Sequence, residues 1–139
     1  MIYEAKVSFT QQDNKGYDKV FKQAFVINDA ETFTEVEAKM YKDFDGYKDF
    51  DVTDIKRSVV KEIANSRTYE DEKIYEATLL DVYLEEDGTE KETTYRILFF
   101  SKSYESANAY ITEYVKQGYN LEIIKLRKTK FVDVIEVNS

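Results

Sequence analysis

Lys125, Arg127, Lys128 and Lys130 fall within six consecutive residues that contain no acid. Cations at this spacing can follow a run of phosphates, the lysines as point charges and the arginine as a forked donor. The first half of the chain carries a counterpart basic set, Lys56, Arg57 and Lys61. A third group, Lys15, Lys19 and Lys22, lies further upstream. Aromatic residues stand near these cations: Tyr17, Phe21, Tyr95, Tyr119 and Phe131. Lysine and arginine tracking phosphates, with rings stacking on bases, are the two parts of sequence-independent single-strand binding. The candidate contact set is therefore Lys56, Arg57, Lys61, Lys125, Arg127, Lys128, Lys130, Tyr17 and Tyr119. A plainer role is open to the same residues. Lysines on an edge strand guard it against pairing with another chain, and aromatic rings fill cores.

Composition bounds the remaining chemistry. The chain has 139 residues and a formal charge of −8, which excludes a wholly basic nucleic-acid binder. A local basic patch still acts on its own, because screening over about 8 Å separates it from distant acids. Cysteine and histidine are both absent. Disulfides, thiolate or imidazole zinc sites, and nucleophilic catalysis through a Cys–His or Ser–His–Asp set are thereby removed. Four scattered glycines cannot build a phosphate-cradling loop. The carboxylate runs Asp49/Asp51/Asp54 and Glu70/Asp71/Glu72 lack the spacing of a calcium loop and read as solvated faces. The expectation is a protein with no catalytic centre, no cofactor and no metal. No apolar run reaches the length of a membrane span. The N-terminus does not read as an export signal, so the expected location is the cytoplasm, with no membrane partner.

The elements that must position these residues come in two copies. Ile2-Tyr3-Glu4-Ala5 recurs as Ile74-Tyr75-Glu76-Ala77, an offset of 72, and Gly16 recurs as Gly88. After Phe25-Val26-Ile27, matched to Ile97-Leu98-Phe99, the offset drops to 71, so that Thr32-Phe33 matches Ser103-Tyr104. Strands Val52 to Arg57 and Ile123 to Lys128 follow the same offset. Two tandem units, 1–66 and 73–139, are joined by a polar linker over 67–72. Within each unit, alternation of apolar and polar residues predicts strands. They run from Tyr3 and over 17–27, 50–55 and 58–63, then over 74–84, 89–100, 119–126 and 131–137. Asp-Asn-Lys-Gly at 13–16 and Glu-Asp-Gly at 86–88 predict hairpin turns. Thr32 and Glu35 form a capping-box pattern, and Ser103 caps the second helix. Gly46 and Gly118 are the expected stops. The spacing places Phe33, Val36, Met40 and Phe44 on one helix face and Tyr104, Ala107, Ile111, Tyr114 and Val115 on the other, with Phe33, Phe44, Tyr104 and Tyr114 as core. The fold class is α+β: tandem duplicated ββαββ units, mostly antiparallel sheets with two helices, packed as one pseudo-twofold globule with a shared core.

At Ile2 to Val7, Phe50 to Arg57 and Ile74 to Ala77, the sequence resembles an uncharacterised small-domain family of gut Bacteroidetes and of the crAss-like phages that infect them. The resemblance covers nearly the whole chain, and Val-Thr-Asp-Ile-Lys-Arg at 52–57 is its most specific part. It implies a cytoplasmic bacterial or phage protein and carries over no catalytic residue. The absence of proline is a departure from the family pattern. The order ββββα from Phe50 to Gln117 is also similar to the coactivator and Whirly class of single-stranded DNA-binding proteins, which pair two curved four-stranded sheets.

These readings lead to a non-enzymatic module that binds single-stranded DNA or RNA. Two alternatives come from other classes: an acidic protein-interaction module, such as a phage inhibitor or DNA mimic, and a small-ligand-binding protein. Each is compatible with a homo-oligomer.

Overall fold

The computed structural model describes residues 1–118 and 120–138. Eight strands and two helices follow in the order β1 (Tyr3–Gln12), β2 (Asp18–Asn28), α1 (Phe33–Asp43), β3 (Lys48–Arg57), β4 (Val60–Ile63), β5 (Lys73–Leu84), β6 (Glu90–Ser101), α2 (Tyr104–Lys116), β7 (Leu121–Lys128) and β8 (Phe131–Glu136). This is the expected α+β class with the duplicated ββαββ order. Strand boundaries shift by one or two residues, as fraying ends do.

The chain forms two compact units, residues 1–58 with 131–139 and residues 59–130. Each holds one four-stranded sheet, ordered β3-β1-β2-β8 in the first and β4-β6-β5-β7 in the second. The final strand of each half thus lies in the sheet of the other half. β8 pairs parallel with β2, and β4 pairs parallel with β6. All other pairings are antiparallel. The two exchanges share one register. Phe131 meets Ala24 and Val60 meets Arg96, and each pairing slips before the next partner.

Local chemistry explains the matching geometry. In the first hairpin Asp13 N–H donates to Tyr17 O (2.8 Å) and Gly16 N–H to Asp13 O (3.0 Å); in the second, Glu85 and Gly88 repeat both bonds at the same lengths. Gly16 and Gly88 take φ of 82° and 83°, a region that costs glycine nothing. The closed turns fix the pairing of β1 with β2 and of β5 with β6. A bulge at Thr53 in β3 recurs at Ile124 in β7. Thr32 Oγ1 accepts from Glu35 N–H at 3.2 Å, while the Glu35 carboxylate accepts from Glu31 N–H, one residue before the cap. Ser103 Oγ accepts from Ser106 N–H at 3.1 Å. α2 ends at Lys116 with Gln117 as its C-cap, and glycine follows at 118, where a Cβ would stand 2.3 Å from Leu121 Cδ1.

Each unit holds a cluster of buried residues between its sheet and its helix. In the first unit Tyr3, Ala5, Val7, Phe9, Phe25 and Ile27 meet Val36 and Met40 of α1. In the second, Tyr75, Ala77, Leu79, Ile97 and Phe99 meet Ala107 and Ile111 of α2. Ile135 from β8 packs on the first cluster, and Ala64, just past β4, packs on the second. Phe44 and Tyr114 pack against these clusters as expected. Phe33 and Tyr104 do not belong to the core: they are 51% and 58% exposed. Both are the first helical residue, and side chains lean toward the helix N-terminus, so here they project past the turn that meets the sheet. Phe33 instead rests edge-on against Tyr3, with ring centres 5.3 Å apart.

Candidate functional site

The candidate cations divide between the units. Lys56 and Arg57 end β3 in the first. Lys61 on β4, Lys125, Arg127 and Lys128 on β7, and Lys130 after it lie in the second. Alternation then splits neighbours between sheet faces. Lys128 stands opposite Tyr75 and Arg57 opposite Tyr3, on the faces that carry the helices. Lys125 stands opposite Thr78 and Arg127 opposite Glu76, on the face away from α2.

That helix-free face of the second unit gathers charge that the linear sequence scatters. Thr78 of β5 is flanked by Lys125 on β7 and by Arg96 on β6, so one row across three strands reads Lys125–Thr78–Arg96. Both cations are exposed. In the adjoining row Arg127 Nε–H donates to Glu76 Oε1 at 3.0 Å. The Glu76 side chain is only 7% exposed, so this pair is a fixed part of the sheet. Arg96 was missing from the sequence candidates because no other cation of that group lies near it in the chain. Hairpin register identifies it: with Leu84 opposite Glu90, Arg96 must oppose Thr78.

Other candidates have partners within their own units. Lys56 Nζ lies 3.7 Å from Glu4 Oε1 in the first unit. Lys61 holds its ammonium 4.3 Å over the Tyr95 ring on the helix side of the second sheet. Its repeat equivalent at the 71 offset is Val132, so Lys61 has no basic counterpart. Tyr17 is 68% exposed where the first hairpin turn enters β2. Asp13 beside it accepts from the Tyr17 and Lys15 N–H groups and from Lys19, and these donors hold its carboxyl below the usual range. Tyr119 lies outside the described residues. Among the described residues, the row Lys125–Thr78–Arg96 itself contains no ring from the candidate set.

Three tyrosines gather on the opposite, helix side of the second unit. Tyr114 O–H donates to Glu62 Oε1. Burial, this bond and the Glu62 charge push the Tyr114 phenol far above its ordinary range. Burial, with Asp81 and Glu62 charge, raises Tyr95, and burial with Glu62 charge raises Tyr110. An open groove of about 610 Å³ lies toward the hairpin end, lined by Val82, Tyr83, Leu84 and Leu121 with Glu90 and Glu122. Among the described residues, no three carboxylates converge as a metal site would require. Nor, among the described residues, is any helix long and apolar enough to cross a membrane.

Fold and surface define a duplicated α+β protein in which two sheets exchange their last strands and one sheet face carries a compact basic row. The chain belongs to the DUF4494 family, a domain of unknown function, whose family model matches residues 1–137. No curated protein matches it.

Proposed function

We propose that the protein is a non-enzymatic module that binds single-stranded nucleic acid through the helix-free sheet face of its second unit. One observation carries the reading: Lys125, Thr78 and Arg96 form a cross-strand row beside Arg127. Strands in a sheet lie about 4.8 Å apart, so cations on β7 and β6 stand about 10 Å from each other with β5 between them. Two cations so placed can each meet a phosphate of one flexible strand crossing the sheet. Lys128 lies on the helix side of β7 and Lys130 follows that strand, so neither belongs to the row. The contact is mainly electrostatic, because the row itself contains no aromatic ring. The likeness of ββββα order to Whirly-type proteins, and a cytoplasmic role in bacteria or their phages, belong to the same reading.

The test is a titration of labelled oligo-dT at several salt concentrations. Log affinity falls linearly with log salt, with a slope of about −0.7 per phosphate contacted. Arg96→Glu with Lys125→Glu abolishes most of the binding, whereas Lys56→Glu with Arg57→Glu in the first unit changes it little. Salt-independent binding, or none at about 50 mM salt, overturns the proposal.

A second reading draws on a different observation. The groove lined by Val82, Tyr83, Leu84 and Leu121 also carries the carboxylates of Glu90 and Glu122. Such a surface supports the protein-interaction alternative, with a basic, apolar segment as partner. Loss of a captured partner on Leu84→Asp, with oligonucleotide binding absent, would favour it.

A further inference from the structure

The tyrosine cluster of the second unit has a counterpart in the first that shows what such a place holds. At the 71 offset, Lys39 matches Tyr110, Asp43 matches Tyr114, and Asp133 matches Glu62; at the 72 offset, Gln23 matches Tyr95. In the first unit the place is filled from within. Lys39 Nζ lies 3.3 Å from Asp43 Oδ1, and the lysine side chain is only 17% exposed. The second unit replaces that internal ammonium and its carboxylate with the phenol rings of Tyr110 and Tyr114. Glu62, fixed by the Tyr114 hydroxyl, takes the place of Asp133, and the Asp81 carboxylate also acts on Tyr95. Tyr110 is itself held by stacking on Phe99, with ring centres 4.7 Å apart.

Ring faces and a carboxylate form the chemistry that recognises an organic cation, through the quadrupole of each ring and one full charge. A cation already visits. Lys61 Nζ sits 4.3 Å from the centre of the Tyr95 ring. Its side chain is exposed and tethered to a four-residue strand, so it can leave without disturbing the core. We propose that Tyr95, Tyr110, Tyr114 and Glu62 bind an organic cation, an alkylammonium or guanidinium group, in place of the Lys61 ammonium. The inference is independent of nucleic-acid binding, because these residues lie on the helix side of the sheet and the basic row lies on the other.

The experiment follows the tyrosine ring resonances of the full chain, carbon-13 labelled at tyrosine, during titration with tetramethylammonium chloride. A second arm uses a short capped peptide with one arginine, and sodium chloride at equal ionic strength is the control. Tetramethylammonium alone reports a free small cation; the peptide reports a side chain of a protein partner. Saturable shifts are expected at Tyr95, Tyr110 and Tyr114, with none at the exposed Tyr17 and Tyr104. Glu62→Gln weakens binding about tenfold, and Lys61→Ala tightens it about threefold by removing the internal competitor. The Lys61 variant removes an exposed side chain and leaves the fold intact, so it reports even where Glu62→Gln disturbs packing. Shifts no larger than those in sodium chloride, equal shifts at Tyr17 and Tyr104, or no change in affinity on Lys61→Ala overturn the proposal.

Discussion

Two cross-strand ion pairs occupy equivalent places and have unequal worth. Glu76 and Arg127 in the second unit repeat Glu4 and Lys56 in the first, at the same register of the same strand pair. The second contact is 3.0 Å with a nearly buried carboxylate; the first is 3.7 Å with a carboxylate 19% exposed. Their neighbours differ in charge. The row beside the first pair reads Asp54–Lys6–Ala24, and that beside the second reads Lys125–Thr78–Arg96. One acid in the first unit offsets its cation; the second unit has two cations and no acid in that row. The lesson is that the backbone framework repeats while surface charge does not. A ligand that senses charge meets two different faces on one scaffold.

The strongest blow to the common framework is removal of a helix side chain from either core. Met40→Ala and Ile111→Ala occupy matching sites, and both residues are fully buried. Each is expected to cost about 2–5 kcal/mol in urea unfolding, and a difference larger than that range would show that the cores are not equivalent.

Next comes the inequality of the ion pairs. Arg127→Gln leaves a buried carboxylate without its charged partner, at a cost of about 1.5–3 kcal/mol. Lys56→Gln is expected to cost less than about 0.5 kcal/mol, since exposed pairs contribute little. Equal losses would erase the contrast.

Smaller still is the effect of Tyr114→Phe, about 1 kcal/mol for one hydrogen bond to Glu62. Its size depends on pH. The Tyr114 phenol is raised in the folded state. Its contribution is therefore complete below the unfolded value near 10 and is lost as pH rises above it. The parent protein should lose stability between about pH 10 and 12 more steeply than the phenylalanine variant, read by denaturant titration.

The smallest effect lies in the hairpin turns. Asp13 is lowered by N–H bonds, chiefly from Tyr17, and Asp87 by the Thr89 hydroxyl and N–H. A depressed carboxyl contributes above its unfolded value and fades as pH falls through the folded one. Asp13→Asn and Asp87→Asn should each flatten the loss of stability below about pH 4.

Much of this was legible in the residues. The repeat offset, the two Gly-containing turns and the cap at Thr32 are local signals, and local signals set element order. Strand exchange was not legible. Alternation in Val60 to Ile63 and in Phe131 to Glu136 tells which face is buried, but not which neighbouring strand accepts the hydrogen bonds. Arg96 was missed because its partners are assembled by register alone. Phe33 and Tyr104 misled because helical spacing ignores where the helix overhangs its sheet.

The exchange of last strands also sets an order of assembly during synthesis. The second unit is one continuous stretch, residues 59–130, whereas the first needs residues 131–136 to finish its sheet. The ribosome delivers the first three strands and helix of the first unit early, then β4, whose partner β6 emerges about thirty residues later. The unit that begins second is thus completed first. The unit at the start of the chain keeps the edge of β2 open until the last strand arrives, and that edge is where a nascent neighbour could pair.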